Sequence, residues 1–479
     1  MIRALEIGKR ALLASQRGLD VTSNNIANVN TPSYARQQVV LRPGESIPVG
    51  GMMVGMGVLT SSIRQFRDHL IERDLRNYTS SQNYYQQDAT ILQRIEQILG
   101  EPGEQTLQTA LQRFFDAAAQ LSAQPSNIAT RRLFAARASE LAAQFNSTAR
   151  GIEQLRNTTF EQATTSVERV NFLLDAIAKS NANIHATIDA SGQPAASLLD
   201  QQAALLDELS RYIDISITRD ATGSISVTSG GMMLVTSNAA LSLQVQKQLD
   251  GTTGATTLKF IVQKPDGTTV GTFIPQNGEL ASLTKHYNET LNPQSTSGDF
   301  SIARELDRFA ATFAERVNRL AITGFGLSDS GPVPPGREIF ISSSPGPITA
   351  VTLSINPLLT SDPATIPTSG VPNAPGNNAV IAAIAALATD STFLDGTTPE
   401  GYYGILTSRL AHLHAATNDR LTATKTMVEQ VTTERSSLSG VNLDEEATNL
   451  IVYQRSFEAA ARIVTATSEM LATLVNLGR

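Results

Sequence analysis

Apolar residues recur every seven positions at both ends of the chain. Leu5, Leu12, Leu19 and Ile26 form one series, and Leu443, Leu450, Phe457, Val464 and Leu471 form another. Tyr453, Ala460 and Leu474 stand three places after members of the second series; Ala447, Ala461 and Val475 stand four after. A seven-residue apolar repeat is a coiled-coil seam, a stripe that needs a partner helix. A single amphipathic helix packed on its own domain gives the same repeat, but two matched seams at opposite ends favour pairing of the ends. Charge agrees. Residues 1–36 carry five bases against two acids, whereas residues 438–479 carry three bases against five acids.

Between the ends the period changes twice. Residues 66–182 read as long helices. Leu92, Ile95 and Leu99 keep helical spacing until Gly100 and Pro102; Leu107, Leu111, Phe114 and Phe115 begin a second helix that stops at Pro125; Leu133, Leu141 and Phe145 belong to a third. Helical spacing returns at Ile302–Leu320 and Ile405–Val431. The first excursion is β: Ile213, Ile215 and Ile217 alternate with polar residues, as do Ile225 and Val227, then Leu241, Leu243 and Val245, and Leu258, Phe260 and Val262. Turns are expected at Asp220–Gly223, Ser229–Gly231 and Pro265–Gly267. The second excursion, 325–400, holds 11 of the 20 prolines.

The expected fold is therefore multidomain α+β. Residues 1–60 and 438–479 form paired terminal helices with an N-terminal turn region. Residues 61–210, 300–324 and 401–437 form a helical bundle, 211–299 an antiparallel β domain, and 325–400 a small Pro-rich outer domain that tolerates shortening.

Composition narrows the chemistry. The chain has 479 residues, net charge −7, 5% aromatic residues and neither Cys nor Trp. Without Cys there are no disulfides, thiolate nucleophiles or iron–sulfur sites, and the charge balance argues against a nucleic-acid binder. Cores of Ala and Leu are expected. No apolar run is long enough to span a membrane, and charges from Arg3 to Arg17 interrupt any secretory signal. No Walker loop or Gly-x-Ser-x-Gly elbow occurs, and Gly55-Met56-Gly57 reads as a turn. His412 and His414 are two apart and face different ways on a helix, so they do not converge on a metal. Asp444-Glu445-Glu446 reads as an acidic helix start. No catalytic, cofactor or metal site emerges.

One segment exceeds generic helix: Ser23-Asn24-Asn25-Ile26-Ala27-Asn28-Val29-Asn30-Thr31-Pro32-Ser33-Tyr34-Ala35-Arg36-Gln37. It resembles the N-terminal signature of the bacterial flagellar rod/hook axial protein family, close to Asn-Asn-Ile-Ala-Asn-x-Asn-Thr-x-Gly-Tyr. Ser33 stands where the family usually has Gly, so a type I turn is the simple substitute for a Gly-demanding one. Residues 439–446, with Leu450-Ile451, Tyr453-Gln454 and the Ala459–Ala461 run, resemble the family's closing helix. The long helices of 66–182, Gly55-Met56-Gly57-Val58 and Asn356-Pro357-Leu358 are similar to the hook-associated protein 1 group, which forms the hook–filament junction.

The resemblance implies a structural protein rather than an enzyme. Such a protein is exported unfolded and uncleaved through the flagellar type III apparatus, with an export chaperone, and lies outside the cell. It forms a ring of identical subunits, meeting hook protein on one side and the next hook-associated junction protein on the other, without nucleic acid, cofactor or membrane insertion. Its assembly interface would include Leu5, Leu12, Leu19, Asn25, Ile26, Asn28, Asn30, Leu443, Leu450, Tyr453, Phe457, Val464 and Leu471. Hook protein itself, or an adhesin-like role for the outer domains, is the alternative. The terminal segments are expected to be poorly ordered before assembly.

Overall fold

The computed structural model describes all residues except 1, 32, 50–51, 101–105, 188–194, 221–222, 238, 252–253, 296–299 and 478–479. Helix α1 (Ile2–Ala27) is followed by an arm of four strands: β1 (Gln37–Pro43), β2 (Ser46–Val49), β3 (Met52–Gly55) and β4 (Val58–Gln65). β1 pairs antiparallel with β4, and β2 with β3. The body begins with α2 (His69–Leu99), α3 (Leu107–Ala123), α4 (Ile128–Ala186) and α5 (Ala196–Tyr212). Asp68 caps α2 by accepting from the Leu70 N–H at 2.7 Å, and Asn127 caps α4 by accepting from the Ala129 N–H at 2.8 Å. α2 ends at Gly100, whose φ of 88° suits glycine. The expected breaker Pro102 lies outside the described residues.

Two three-stranded sheets follow. The first joins β5 (Ser216–Arg219), β6 (Ile225–Ser229) and β7 (Met232–Val235); the second has order β10-β9-β8, from β8 (Ser242–Leu249), β9 (Thr256–Gln263) and β10 (Thr269–Phe273). The expected turn at Asp220–Gly223 falls partly outside the described residues. Helix α6 (Glu279–Lys285) runs into a π-helical turn at His286–Thr290 and leads to α7 (Ile302–Ala321). Short elements then alternate with loops: β11 (Phe340–Ser342), β12 (Leu353–Ile355), α8 (Pro357–Ser361) and α9 (Ala379–Ala386). The chain closes with α10 (Pro399–Ser439), lying along α2, and α11 (Leu443–Leu477).

Two expectations change here. Phenylalanines are few but concentrated: Phe114, Phe134, Phe313 and Phe340 meet at the centre, with Phe114 and Phe313 ring centroids 5.3 Å apart. The core is thus aromatic at its middle rather than only Ala and Leu. Residues 325–400 also do not fold around a core of their own. Phe340, Leu353, Leu359, Ile366, Ile381 and Phe393 belong to the same buried cluster as α3, α4 and α7. Arg131 of α4 ties this segment down: it is completely buried, and the charge of Asp329 acts on it from a distance. Its guanidinium donates to the carbonyls of Pro125 (2.7 Å) and Ile366 (2.7 Å) and to the Thr368 hydroxyl (2.6 Å). Burial lowers its pKa to about 10, so it remains charged at neutral pH.

Candidate assembly site

The chain ends pack on each other as an antiparallel helix pair. Gly8 of α1 lies against Val464 of α11, Gly18 against Tyr453, and Asn25 against Glu446. A Cβ on Gly18 would stand 2.5 Å from the Tyr453 ring, so the tyrosine fills the space that a side chain there would need. The residues of α1 that are buried are small or polar: Gly8, Ala14, Ser15, Gly18, Val21, Thr22 and Asn25. Small residues let helix axes approach, and larger side chains of α11 supply the knobs.

The heptad residues expected from sequence sit around this contact. Leu5, Leu12, Leu19 and Ile26 are half-buried and flank the tighter stripe instead of forming its centre. Leu450, Tyr453, Phe457, Val464 and Leu471 are half-buried, and Leu443 is exposed. On α11 the buried positions are Glu446, Ala460 and Thr467, which continue the same three-and-four spacing. The partner of this stripe is therefore the other end of the same chain.

Asn25 is the hub that joins three segments. Its side-chain N–H groups donate to the Gln37 carbonyl at 2.9 Å and to the Glu446 carboxylate at 3.0 Å. Its side-chain oxygen accepts from the Tyr34 hydroxyl at 2.8 Å and the Gln37 N–H at 3.0 Å. All of its hydrogen-bonding capacity is used within the chain. Asn28 finishes the helix, donating to the Asn24 carbonyl at 2.9 Å, and Asn30 is exposed. The dense asparagines thus shape the exit of α1 and hold β1 beside it.

Ser33 keeps a left-handed backbone, with φ of 63°. The type I turn expected for serine requires negative φ, so that expectation is corrected: Ser33 takes the left-handed conformation that glycine adopts most easily. Two contacts hold it there: its hydroxyl donates to Asp207 at 2.9 Å, and its carbonyl accepts from Arg67 at 2.7 Å. Pro32 lies outside the described residues.

The acidic start of α11 does more than complement a helix dipole. The Glu446 side chain is only 2% exposed and accepts from Arg36 at 2.8 Å, while Glu445, 55% exposed, meets the same arginine at 2.8 Å. Beside this contact a second charge network joins the N-terminal turn to the body. Arg67 reaches Asp200 (2.7 Å) and Glu72 (3.2 Å); Arg76 reaches Glu72 (2.7 Å) and Asp207 (2.8 Å); Arg435 of α10 reaches Asp207 (3.2 Å). Burial raises the Asp200 pKa despite Arg67. It also raises that of Tyr34, with the charges of Asp200 and Glu446 adding to the shift. These residues escaped sequence reading because their partners are up to several hundred positions away.

The histidine pair separates as its spacing requires. His414 reaches Glu96 of α2 at 2.8 Å, and His412 is exposed. Among the described residues no group of three or more His, Asp or Glu could hold a metal ion. No helix among them is long and apolar enough to cross a membrane.

Comparison with known proteins adds the lineage. The flagellar hook-associated protein FlgK helical domain matches residues 92–340, more than half of the chain. The C-terminal family of the flagellar basal body rod FlgEFG proteins matches 425–477, and the flagella basal body rod protein family matches 5–34. Flagellar hook-associated protein 1 of Bacillus subtilis is 26% identical, covering 98% of this chain and 97% of its own. That of Escherichia coli is 22% identical over 97% and 98%. The flagellar hook junction protein FlgK from Burkholderia pseudomallei shares the fold, with TM-score 0.62, 15% identity, and coverage of 77% of this chain and all of that one. Rod-family termini folded onto each other flank a FlgK helical domain, and the chain belongs to the flagellar hook-associated protein FlgK family, whose members are structural proteins of the flagellum and not enzymes.

Proposed function

We propose that this chain is a subunit of the junction between flagellar hook and filament, located outside the cell and built into a ring through its paired terminal helices. The observation that carries the reading is the combination of a FlgK helical domain with rod-family termini locked together at Asn25 and Glu446. One chain then offers a terminal unit of the kind shared along the flagellar axis and a body particular to hook-associated proteins. Hook protein on one side and a further hook-associated protein on the other are the neighbours this reading requires. Export in an unfolded, uncleaved state with a chaperone belongs to the same reading. Absence of Cys and a terminal pair with few fully buried side chains are compatible with it. The domain scheme follows with one change: 1–60 and 438–479 form the inner unit, and 325–400 belongs with the helical body. Electron micrographs of a deletion strain test the function. Bare hooks, with filament subunits shed into the medium, are the expected result; attached filaments would refute it.

A further inference from the structure

A buried charged cluster lies away from the terminal pair and has no part in the reading above. Asp88 of α2 and His286, the first residue of the π-helical turn, are both buried, with His286 Nε2 2.5 Å from the Asp88 carboxylate. Thr417 of α10 donates to the other carboxylate oxygen at 3.0 Å, and Lys285 of α6 reaches the first at 3.2 Å. Asp88 thus fastens the α6–π-turn segment, which follows the second sheet, to α2, while Thr417 ties the same carboxylate to α10.

The far side of the imidazole decides what this fastening does. His286 Nδ1 is buried and has no described protein group within hydrogen-bond reach; the nearby Ser282 hydroxyl is buried and unpaired as well. A neutral imidazole donating from Nε2 to Asp88 satisfies the carboxylate. A second proton on Nδ1 would be sealed in with no acceptor, which is costly in a low-dielectric interior. The charged groups facing the ring are Asp88 from α2, Lys285 from α6 and Glu289 from the π-turn; α4 brings Arg156 to the Tyr287 carbonyl, and α10 presents the uncharged Thr417 to Asp88.

We propose that the Asp88–His286 contact is an acid-sensitive latch that holds residues 279–290 on α2 at neutral pH and releases them on acidification. Burial lowers the His286 pKa, whereas in the released segment the imidazole returns to its ordinary value of about 6.5. The released state therefore binds the extra proton, so closure is undiminished above about pH 6.5 and weakens as pH falls below it. Asp88 does not set this window. Burial pushes its pKa up, but the hydrogen bonds from His286 and Thr417 and the charge of Lys285 outweigh burial and hold it below the ordinary carboxylate range. The segment also buries Leu280, Leu283 and Tyr287 in the cluster it shares with α3, α4 and α7, so release opens that edge of the cluster, while Phe114, Phe134 and Phe313 at its centre carry no titratable group.

Amide hydrogen exchange of the full-length chain between pH 7 and pH 5 tests this. Protection factors at 279–290, corrected for intrinsic exchange, should fall by up to about tenfold per pH unit below 6.5. Those of the α3–α4–α7 core should hold. In His286→Gln, whose amide can still donate to Asp88, the fall should vanish. Mass-spectrometric exchange of the His286 ring C–H gives a second readout on the unaltered protein, and should report a neutral ring in the closed state at pH 6. A pH-independent segment, an equal fall in His286→Gln, a fall shared by the whole body, or a ring that titrates near 6.5 while 279–290 stays protected would each overturn the latch.

Discussion

Gly18 and Tyr453, 435 positions apart, interlock: the tyrosine ring occupies the volume that a Cβ on Gly18 would fill, 2.5 Å away. In an isolated helix, replacing Gly with Ala is favourable by about 1 kcal/mol. Here the added methyl forces the helices apart, and overpacking of this kind costs about 1–3 kcal/mol. Gly18→Ala should therefore loosen the terminal pair, measured as faster amide exchange along α1 and α11. Combining it with Tyr453→Leu should restore much of the protection. Unchanged exchange in the single variant would mean that the two helices can separate at no cost.

Glu445 and Glu446 meet the same arginine, yet they should respond differently. Glu446 is buried between Arg36 and Asn25, so Glu446→Gln weakens a charge-assisted contact and should cost about 1–3 kcal/mol. Glu445 is exposed, and Glu445→Gln should stay within about 0.5 kcal/mol. Exchange at Arg36 and Gln37, whose N–H groups bond to the Ser439 carbonyl and the Asn25 side chain, reports both. Equal effects would remove the special place given to Glu446.

Arg131 makes a stronger demand on the body. Arg131→Met would leave buried carbonyls of Pro125 and Ile366 without donors, a loss of about 2–3 kcal/mol in thermal or denaturant unfolding. Lysine should not rescue it, because one ammonium cannot span acceptors that a planar fork reaches from two sides. A change below about 0.5 kcal/mol would show the loop to be held by other means. Deletion of 332–375 removes Phe340, Leu353, Leu359 and Ile366 from the shared core. The soluble fold should be lost, in contrast to the tolerance that a Pro-rich insertion suggests.

What was legible in the sequence was periodic or local. The helices of 66–182, most strands of the β excursion and the pairing of the ends all follow from spacing that one segment displays by itself. The N-terminal signature pointed to the flagellar axial proteins because its asparagines are dense enough to stand out. Three things were not legible. Heptad leucines draw attention on α1, but close approach selects small residues, so Gly8 and Gly18 carried no apolar signal. Phe340 and Ile366 lie in a segment whose prolines suggest exposure, and only the tertiary contact with α4 reveals their burial. Strands β1 to β4 lie where the sequence presents a turn region, with Gly55 and Gly57 close together. Gly57 in fact turns the arm at φ 81° against Ile7, and Arg10 donates to the neighbouring Met56 carbonyl at 3.1 Å. Ser33 belongs with these, since serine does not announce the left-handed backbone that Asp207 and Arg67 impose.

The terminal pair itself should be marginal in the free subunit. Most of its contact residues are half-buried, and ordering a residue costs roughly 1–2 kcal/mol of backbone entropy. Amide exchange at 445–475 in the monomer should be fast compared with that of α4. Protection equal to the body would mean that the pair is a finished core before assembly.

The most direct test of the account is filament attachment in a strain whose only copy of this chain carries Leu450→Asp and Phe457→Asp. Both residues are half-buried on the stripe that continues from Tyr453 and Val464, so a carboxylate at each disrupts the terminal pair without touching the body. The variant chain should be secreted in normal amount and remain soluble, while cells show bare hooks and release filament subunits into the medium. Normal, firmly attached filaments in that strain would contradict the claim that the chain joins hook to filament through its paired ends.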